Sequence, residues 1–246
     1  MPARARGSTR CRSRSRRSSR GMSIVELLIG VAIGLFILAG ASAMFVSNIT
    51  NSRRLLLEAR INQDLRTTMD LVTRDLRRGG YWGNSLAGTL STGSASTTVA
   101  NPYSAVTSMG STRINYTYSR DPDNATDELK NALDPNTENF GFKLDTADHA
   151  IKMEIGGVWQ TLTNTNILMI PNDGFMITPT ETAIDIRAAC AKTCVDTTTA
   201  PTCPRVQVRT YNIVLKGTSI TDSAVSRTLR SQVRVRNDAM SGSCPA

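Results

Sequence analysis

The sequence predicts an α+β fold in which one long N-terminal helix, membrane-spanning in its first half, packs through its second half on an antiparallel β-sheet. Three observations lead there. Residues 22–50 are apolar or small apart from one charge, Glu26. From Asn51 to Arg78 charge returns together with a helical repeat of apolar positions. Beyond residue 112 the pattern changes to short β-branched and aromatic runs separated by turn residues. The layout that follows is a basic leader over residues 1–21, a membrane-spanning helix over 22–50, an amphipathic helix half over 51–78 and a β-rich globular part over 79–246.

The leader holds eight arginines and no acid, in an Arg/Ser-rich stretch that takes no part in the fold. The apolar run behind it exceeds the roughly 18 residues a helix needs to cross a bilayer. A secretory signal peptide has an apolar core of only about 7–15 residues. A plain signal anchor fits the length but leaves Glu26 unexplained, because a carboxylate in a membrane span is costly and points to a function. Basic residues on the leader side set the N-terminus in the cytoplasm and the bulk of the chain outside, as a single-pass protein.

Charge placement argues against a nucleic-acid binder. Of 29 Lys and Arg, eight lie in the leader, and all 20 acids follow it, so the chain from Met22 carries 21 bases against 20 acids. The basic footprint of nucleic-acid recognition goes with the leader. No nucleic acid is expected as a partner, and DNA stays only as a weak alternative.

Gly21-Met22-Ser23-Ile24-Val25-Glu26, followed by the apolar run, resembles the class III signal of type IV pilins and type II secretion pseudopilins. The resemblance implies cleavage by prepilin peptidase between Gly21 and Met22, N-methylation of Met22, and pairing of Glu26 with a terminal amine, that of a neighbouring subunit. With the orientation set by the leader, it also implies the inner membrane and a periplasmic C-terminal domain. An ammonium and a carboxylate paired in apolar surroundings offset each other's desolvation. Gly30 and Gly34 form a G-x-x-x-G, followed by Gly40 and Ala41, which permits close helix approach.

In the amphipathic half, Leu57, Ile61, Leu65, Val72 and Leu76 recur at steps of four or seven, with Met69 and Leu71 beside them. Asp70 and Arg74 form a favourable i,i+4 pair on a solvated face. Gly79-Gly80 stops the helix after Arg77-Arg78, cations the helix dipole favours there. Arg74-Asp75-Leu76-Arg77 with Gly80-Tyr81-Trp82-Gly83 resembles the PilW family of minor pilins, which often has a cysteine where this chain has Asn84. Tyr81 and Trp82 read as packing against the helix rather than as ligands.

Residues 79–112 carry no charge beyond the helix end and read as a long loop. Strands are expected at Thr112–Tyr118, Phe140–Asp145, Ala150–Ile155, Val158–Leu162, Ile167–Ile170, Phe175–Thr178, Ala183–Ala188, Arg205–Leu215 and Thr228–Arg236. Gly156-Gly157 makes a two-residue hairpin turn. Asp121–Leu129 is acidic and turn-rich but lacks the glycine and distal glutamate of an EF-hand loop, so it reads as solvated. The last strand alternates Leu229, Ser231, Val233 and Val235 with Arg230, Gln232, Arg234 and Arg236, and its sequence also resembles the C-terminal strand of the PilW family. The arginines read as a solvated outer face.

Cys11 lies in the leader. The other four cysteines, Cys190, Cys194, Cys203 and Cys244, fall in the exported part, where an oxidising compartment makes two disulfides the default. Four cysteines allow three pairings; Cys194–Cys203 closes a short loop between expected strands, which leaves Cys190–Cys244 to tie down the C-terminus. Zinc is disfavoured, since no C-x₂-C pair exists and the one histidine, His149, is remote in sequence. No nucleophile–base pair, phosphate loop or metal cluster is visible, so no enzyme activity, metal or cofactor is expected. The resemblance implies a minor pilin that primes type IV pilus assembly, at its tip, with other minor and major pilins as partners. A minor pseudopilin of type II secretion and an exported adhesin or DNA-uptake module are the alternatives.

Overall fold

The fold is described from a computed structural model, over residues 21–83, 100–120, 133–196 and 203–245. The leader with Cys11, residues 84–99 of the uncharged stretch and the acidic segment 121–132 lie outside the described residues. The chain divides into two compact units, Met1–Ser52 and Arg53–Ala246. One helix, α1 (Ile24–Leu76), contributes to both.

In the first unit, α1 begins where the sequence supplies a start. The Leu27 N–H donates to the Ser23 carbonyl (3.1 Å) and the Val25 N–H to Ser23 Oγ (3.4 Å). Every residue from Gly21 to Ser52 is exposed.

In the second unit the amphipathic stripe is buried as its spacing predicts. Ile61, Leu65, Val72 and Leu76 are fully buried and Met69 nearly so, while Leu57 and Leu71 flank them half-buried. The helix closes at Leu76 and not at Arg78 as the sequence suggests. The N–H groups of Arg78 and Gly79 donate three residues back, to Asp75 and Leu76 carbonyls, so the last turn tightens. Gly80 (φ 75°) then turns the chain away, with its N–H on the Thr117 carbonyl at 2.8 Å.

The strands form two antiparallel sheets of five. The first is a meander in chain order: β1 (Val106–Ser108), β2 (Arg113–Thr117), β3 (Asn139–Asp145), β4 (Ala150–Ile155) and β5 (Val158–Thr161). Gly156 (φ 58°) and Gly157 (φ 79°) make the β4–β5 turn, where two positive φ values match strand twist. The second sheet is built on β8 (Arg205–Ser219). Its pairings put β6 (Leu168–Met169) and β7 (Phe175–Asp185) along one edge, and β9 (Ser226–Arg234) and β10 (Ala239–Ser241) along the other.

β7 differs from the sequence reading. The two expected runs, Phe175–Thr178 and Ala183–Ala188, are one eleven-residue strand that pairs with β8 from Phe175 to Asp185. Pro179 does not break it because β7 is an edge. Two residues earlier, the Ile177 N–H points away from β8, to the Ser111 carbonyl (2.7 Å), so the side of Pro179 without an N–H is not the paired side. The strand stops at Asp185, whose side chain accepts the Arg187 N–H (2.9 Å) at the start of a short 3-10 helix, Arg187–Ala189.

One core joins α1 to both sheets. It combines the helix stripe with Ile114, Tyr116, Phe140, Phe142 and Ile151 of the first sheet and with Leu168, Phe175, Ile213, Leu215 and Val233 of the second. Fully burying each such side chain contributes about 1.5–3 kcal/mol. Helix and sheet approach closely at Gly217 of β8, where an added Cβ would lie 2.4 Å from Leu168 Cδ1 and 3.0 Å from Leu65 Cδ2.

Candidate functional site

The first unit joins an exposed segment to an exposed apolar helix. Gly21, Met22 and Ser23 precede the helix in exposed chain outside any helix or strand. Glu26 lies in the first helical turn and, among the described residues, has no hydrogen-bond or ion-pair partner there. A carboxylate at that end is favoured by the helix dipole. Around and behind it the helix shows apolar side chains on all sides, with Ile24 80 % and Phe36 84 % exposed. This stretch is long and apolar enough to cross a membrane. Water would penalise that much bare apolar surface, so a bilayer or other helices must cover it. Nothing lies within 4 Å of a Cβ built on Gly30, Gly34 or Gly40, so the small-residue face is open to a neighbour.

In the second unit three devices hold the helix. At its outer end Arg54 pairs with Asp222 (2.9 Å), and Glu58 pairs with Arg227. At its inner end the buried Asp75 carboxylate accepts the Tyr116 hydroxyl at 2.5 Å and the Tyr118 hydroxyl at 3.3 Å. Burial, and then the Asp75 charge, push Tyr116 well above the ordinary tyrosine range and Tyr118 up to about 12. The Arg78 guanidinium lies 4.4 Å from the centre of the Tyr118 ring. A comparable knot holds the first sheet. The buried Glu138 carboxylate accepts the Tyr103 hydroxyl (2.7 Å) and the backbone N–H groups of Arg120 (3.1 Å) and Asp134 (2.9 Å). Neither knot was legible in the sequence, because nothing in the spacing of Asp75 or Glu138 marks them as buried.

The cysteines form two disulfides, Cys190–Cys244 and Cys194–Cys203, with Cα separations of 5.4 and 5.7 Å. Residues 197–202 of the smaller loop lie outside the described residues. Asp196 ties the same corner together, accepting from Arg205 (2.7 Å), Arg187 (3.2 Å) and the Cys203 N–H (3.1 Å). His149 sits in the β3–β4 turn, at φ 49°.

Trp82 is buried, whereas Tyr81 is 41 % exposed, so only one of the two aromatics packs as the sequence suggests. Tyr81 lines a surface cleft with Arg74, Arg77, Arg78, Arg236 and Asn237. The sequence gives the helix arginines and the β9 arginines as separate solvated faces, and the fold brings them together.

A family model for prepilin peptidase-dependent protein B matches residues 54–235. The chain belongs to this family. Comparison with curated proteins and with solved structures finds no match. The matched span begins after the apolar unit, so membership rests on the β-rich body and not on the leader, Gly21 or Glu26. As a member of the prepilin peptidase-dependent protein B family the chain is a pilus-related protein.

Proposed function

We propose that this protein is a minor pilin of the PilW type that primes assembly of a type IV pilus and sits at its tip. Prepilin peptidase cuts between Gly21 and Met22, and Met22 becomes N-methylated. Residues 22–50 anchor the chain in the inner membrane with the β-rich domain in the periplasm, until the same helix passes into the filament core beside other minor and major pilins. The role is structural, not catalytic, and needs no cofactor. One observation carries this reading: a fully exposed apolar helix with a single carboxylate in its first turn stands ahead of a body of the prepilin peptidase-dependent protein B family. A simple anchor has no use for that carboxylate.

Intact-mass measurement of protein extracted from membranes tests the processing step. The expected chain begins at N-methylated Met22, and Gly21→Val leaves the precursor uncut. A chain still beginning at Met1 in cells with active peptidase overturns the reading. Recovery of other minor pilins with the detergent-solubilised mature protein supports the assembly role, and recovery of type II secretion components in their place overturns the pilus assignment.

A further inference from the structure

We propose that the arginine cleft where the end of α1 meets the segment after β9 is a docking site for an acidic, extended segment of another polypeptide. The cleft of about 490 Å³ is lined by Arg74, Arg77, Arg78, Tyr81, Arg236 and Asn237. A second depression of about 440 Å³, lined by Arg77, Arg234 and Arg236, shares two of those arginines. The backbone holds the two banks together, since the Arg236 N–H donates to the Arg77 carbonyl (3.1 Å) and Asn237 Nδ2 donates to the Gly79 carbonyl (3.2 Å).

Most of this charge is uncompensated. Arg234 is paired with Asp238 (2.7 Å), and Arg78 reaches Asp75 at 3.7 Å. Arg74, Arg77 and Arg236 have no carboxylate partner among the described residues, and all three are exposed. Behind the cleft stands a sixth guanidinium. Arg209, only 5 % exposed, donates to the Ser104 carbonyl (2.6 Å) and the Asn237 carbonyl (3.4 Å), and its Nε has no partner. A buried guanidinium that donates to carbonyls and to no carboxylate adds to the positive potential around it. A folded protein gathers like charges in this way at a cost in self-repulsion, which an anionic partner relieves.

The chemistry favours a carboxylate-bearing peptide over a nucleic acid. From Arg53 onward 21 Lys and Arg face 19 Asp and Glu, so the cleft is a local positive pole on a nearly neutral body. A nucleic-acid groove draws on a much larger basic field. Single-strand binders also need several exposed aromatics for stacking, and here Tyr81 stands alone because Trp82 is buried. Arginine forks with a half-exposed tyrosine are instead the composition of protein–protein hot spots, where bidentate Arg–carboxylate pairs fix the partner. The inference does not depend on which filament the protein joins.

Fluorescence anisotropy with labelled hexaglutamate, titrated with the full mature chain in neutral detergent, tests it. Binding should weaken with added salt and fall about tenfold or more in Arg77→Gln/Arg236→Gln, which removes two charge-assisted contacts. Both side chains are exposed, so the variant should keep its melting temperature. Arg230→Gln, an exposed arginine of β9 outside both depressions, should leave binding unchanged. Equal binding by wild type and the double variant overturns the site. Tighter binding of an oligothymidylate of matched charge, or displacement of the peptide by inorganic phosphate at equal concentration, overturns the assignment to a polypeptide.

Discussion

Two carboxylates on α1 carry different tasks, and the residues around them separate those tasks. Asp75 is buried and accepts from Tyr116 and Tyr118, so its task is folding. Asp75→Ala leaves two hydroxyls without their acceptor in the core and should destabilise the body by about 2–4 kcal/mol, measured by denaturant unfolding with disulfides intact. The tyrosines give the same contact a pH signature. A phenol whose pKa is raised in the folded state contributes stability that is present below its unfolded value, near 10, and lost as pH rises toward about 12, the value for Tyr118. The protein should therefore lose stability over that alkaline interval, and Tyr116→Phe/Tyr118→Phe should flatten the loss. Glu26 has no such contact within the apolar unit and lies at its exposed start. Its cost in an apolar surround is met only by a cation, and the processing proposed above would supply one nearby, the N-terminal amine of Met22. Between neighbouring helices that pair also sets axial register, because a shift of one turn would strand both charges. Glu26→Gln keeps the shape and removes the charge. It should leave processing and disulfides intact and reduce incorporation beside other pilins, scored by complementation of a deletion strain. Full piliation by the Gln variant would sink the charge-pair mechanism.

At the scale of elements, an absent side chain makes room where α1 and β6 both approach β8. Gly217 of β8 lies against Leu168 and Leu65, and a Cβ there would come within 2.4 Å of one and 3.0 Å of the other. Gly217→Ala should cost about 1–3 kcal/mol by overpacking. The clash is relieved by trimming the neighbour, so Gly217→Ala/Leu168→Ala should be less unstable than the sum of its parts, and strict additivity would mean that Gly217 and Leu168 of β6 do not crowd each other there. Contacts of this kind mark the limit of what the sequence discloses. Ile61, Leu65, Val72 and Leu76 announce themselves by period, and Gly156-Gly157 announces a turn, because both signals are local. Gly217 has no local reason to be glycine; its reasons are Leu168 of β6 and Leu65 of a helix some 150 residues earlier. β7 was split at Pro179 because proline reads as a breaker until the strand is known to be an edge. β1 and β10, three residues each, carry too few positions to show alternation and exist only through β2 and β8. The arginine cleft was hidden for the same reason, since its two banks, at Arg78 and Asn237, lie 159 residues apart in the chain.

The whole molecule is assembled from two units with opposite requirements. All the core side chains, both sheets, both disulfides and the span matched by the family model lie beyond Arg53. The unit before it buries none of its described residues and exposes apolar side chains from Met22 to Ile49. Stability and solubility should therefore come apart at that boundary. A chain of residues 53–246, exported to an oxidising compartment, retains the fully buried helix stripe, together with the Arg54–Asp222 and Glu58–Arg227 pairs at its new end. Surface pairs of this kind contribute only about 0–1 kcal/mol each, so the core and not the pairs must hold the shortened helix in place. It should be monomeric without detergent and unfold in one cooperative transition, at nearly the same midpoint as the mature chain in detergent. Reduction should lower that midpoint, since each disulfide contributes roughly 2–4 kcal/mol by restricting the unfolded chain. Moving the boundary inward, to a start after Leu65, deletes Ile61 and Leu65 and should abolish the transition, because each lost side chain leaves a cavity worth about 2–5 kcal/mol against the 5–15 kcal/mol of a typical domain. A cooperative transition that survives the second truncation would show that Ile61 and Leu65 are dispensable and that Met69, Val72 and Leu76 alone suffice to join the helix to the sheets.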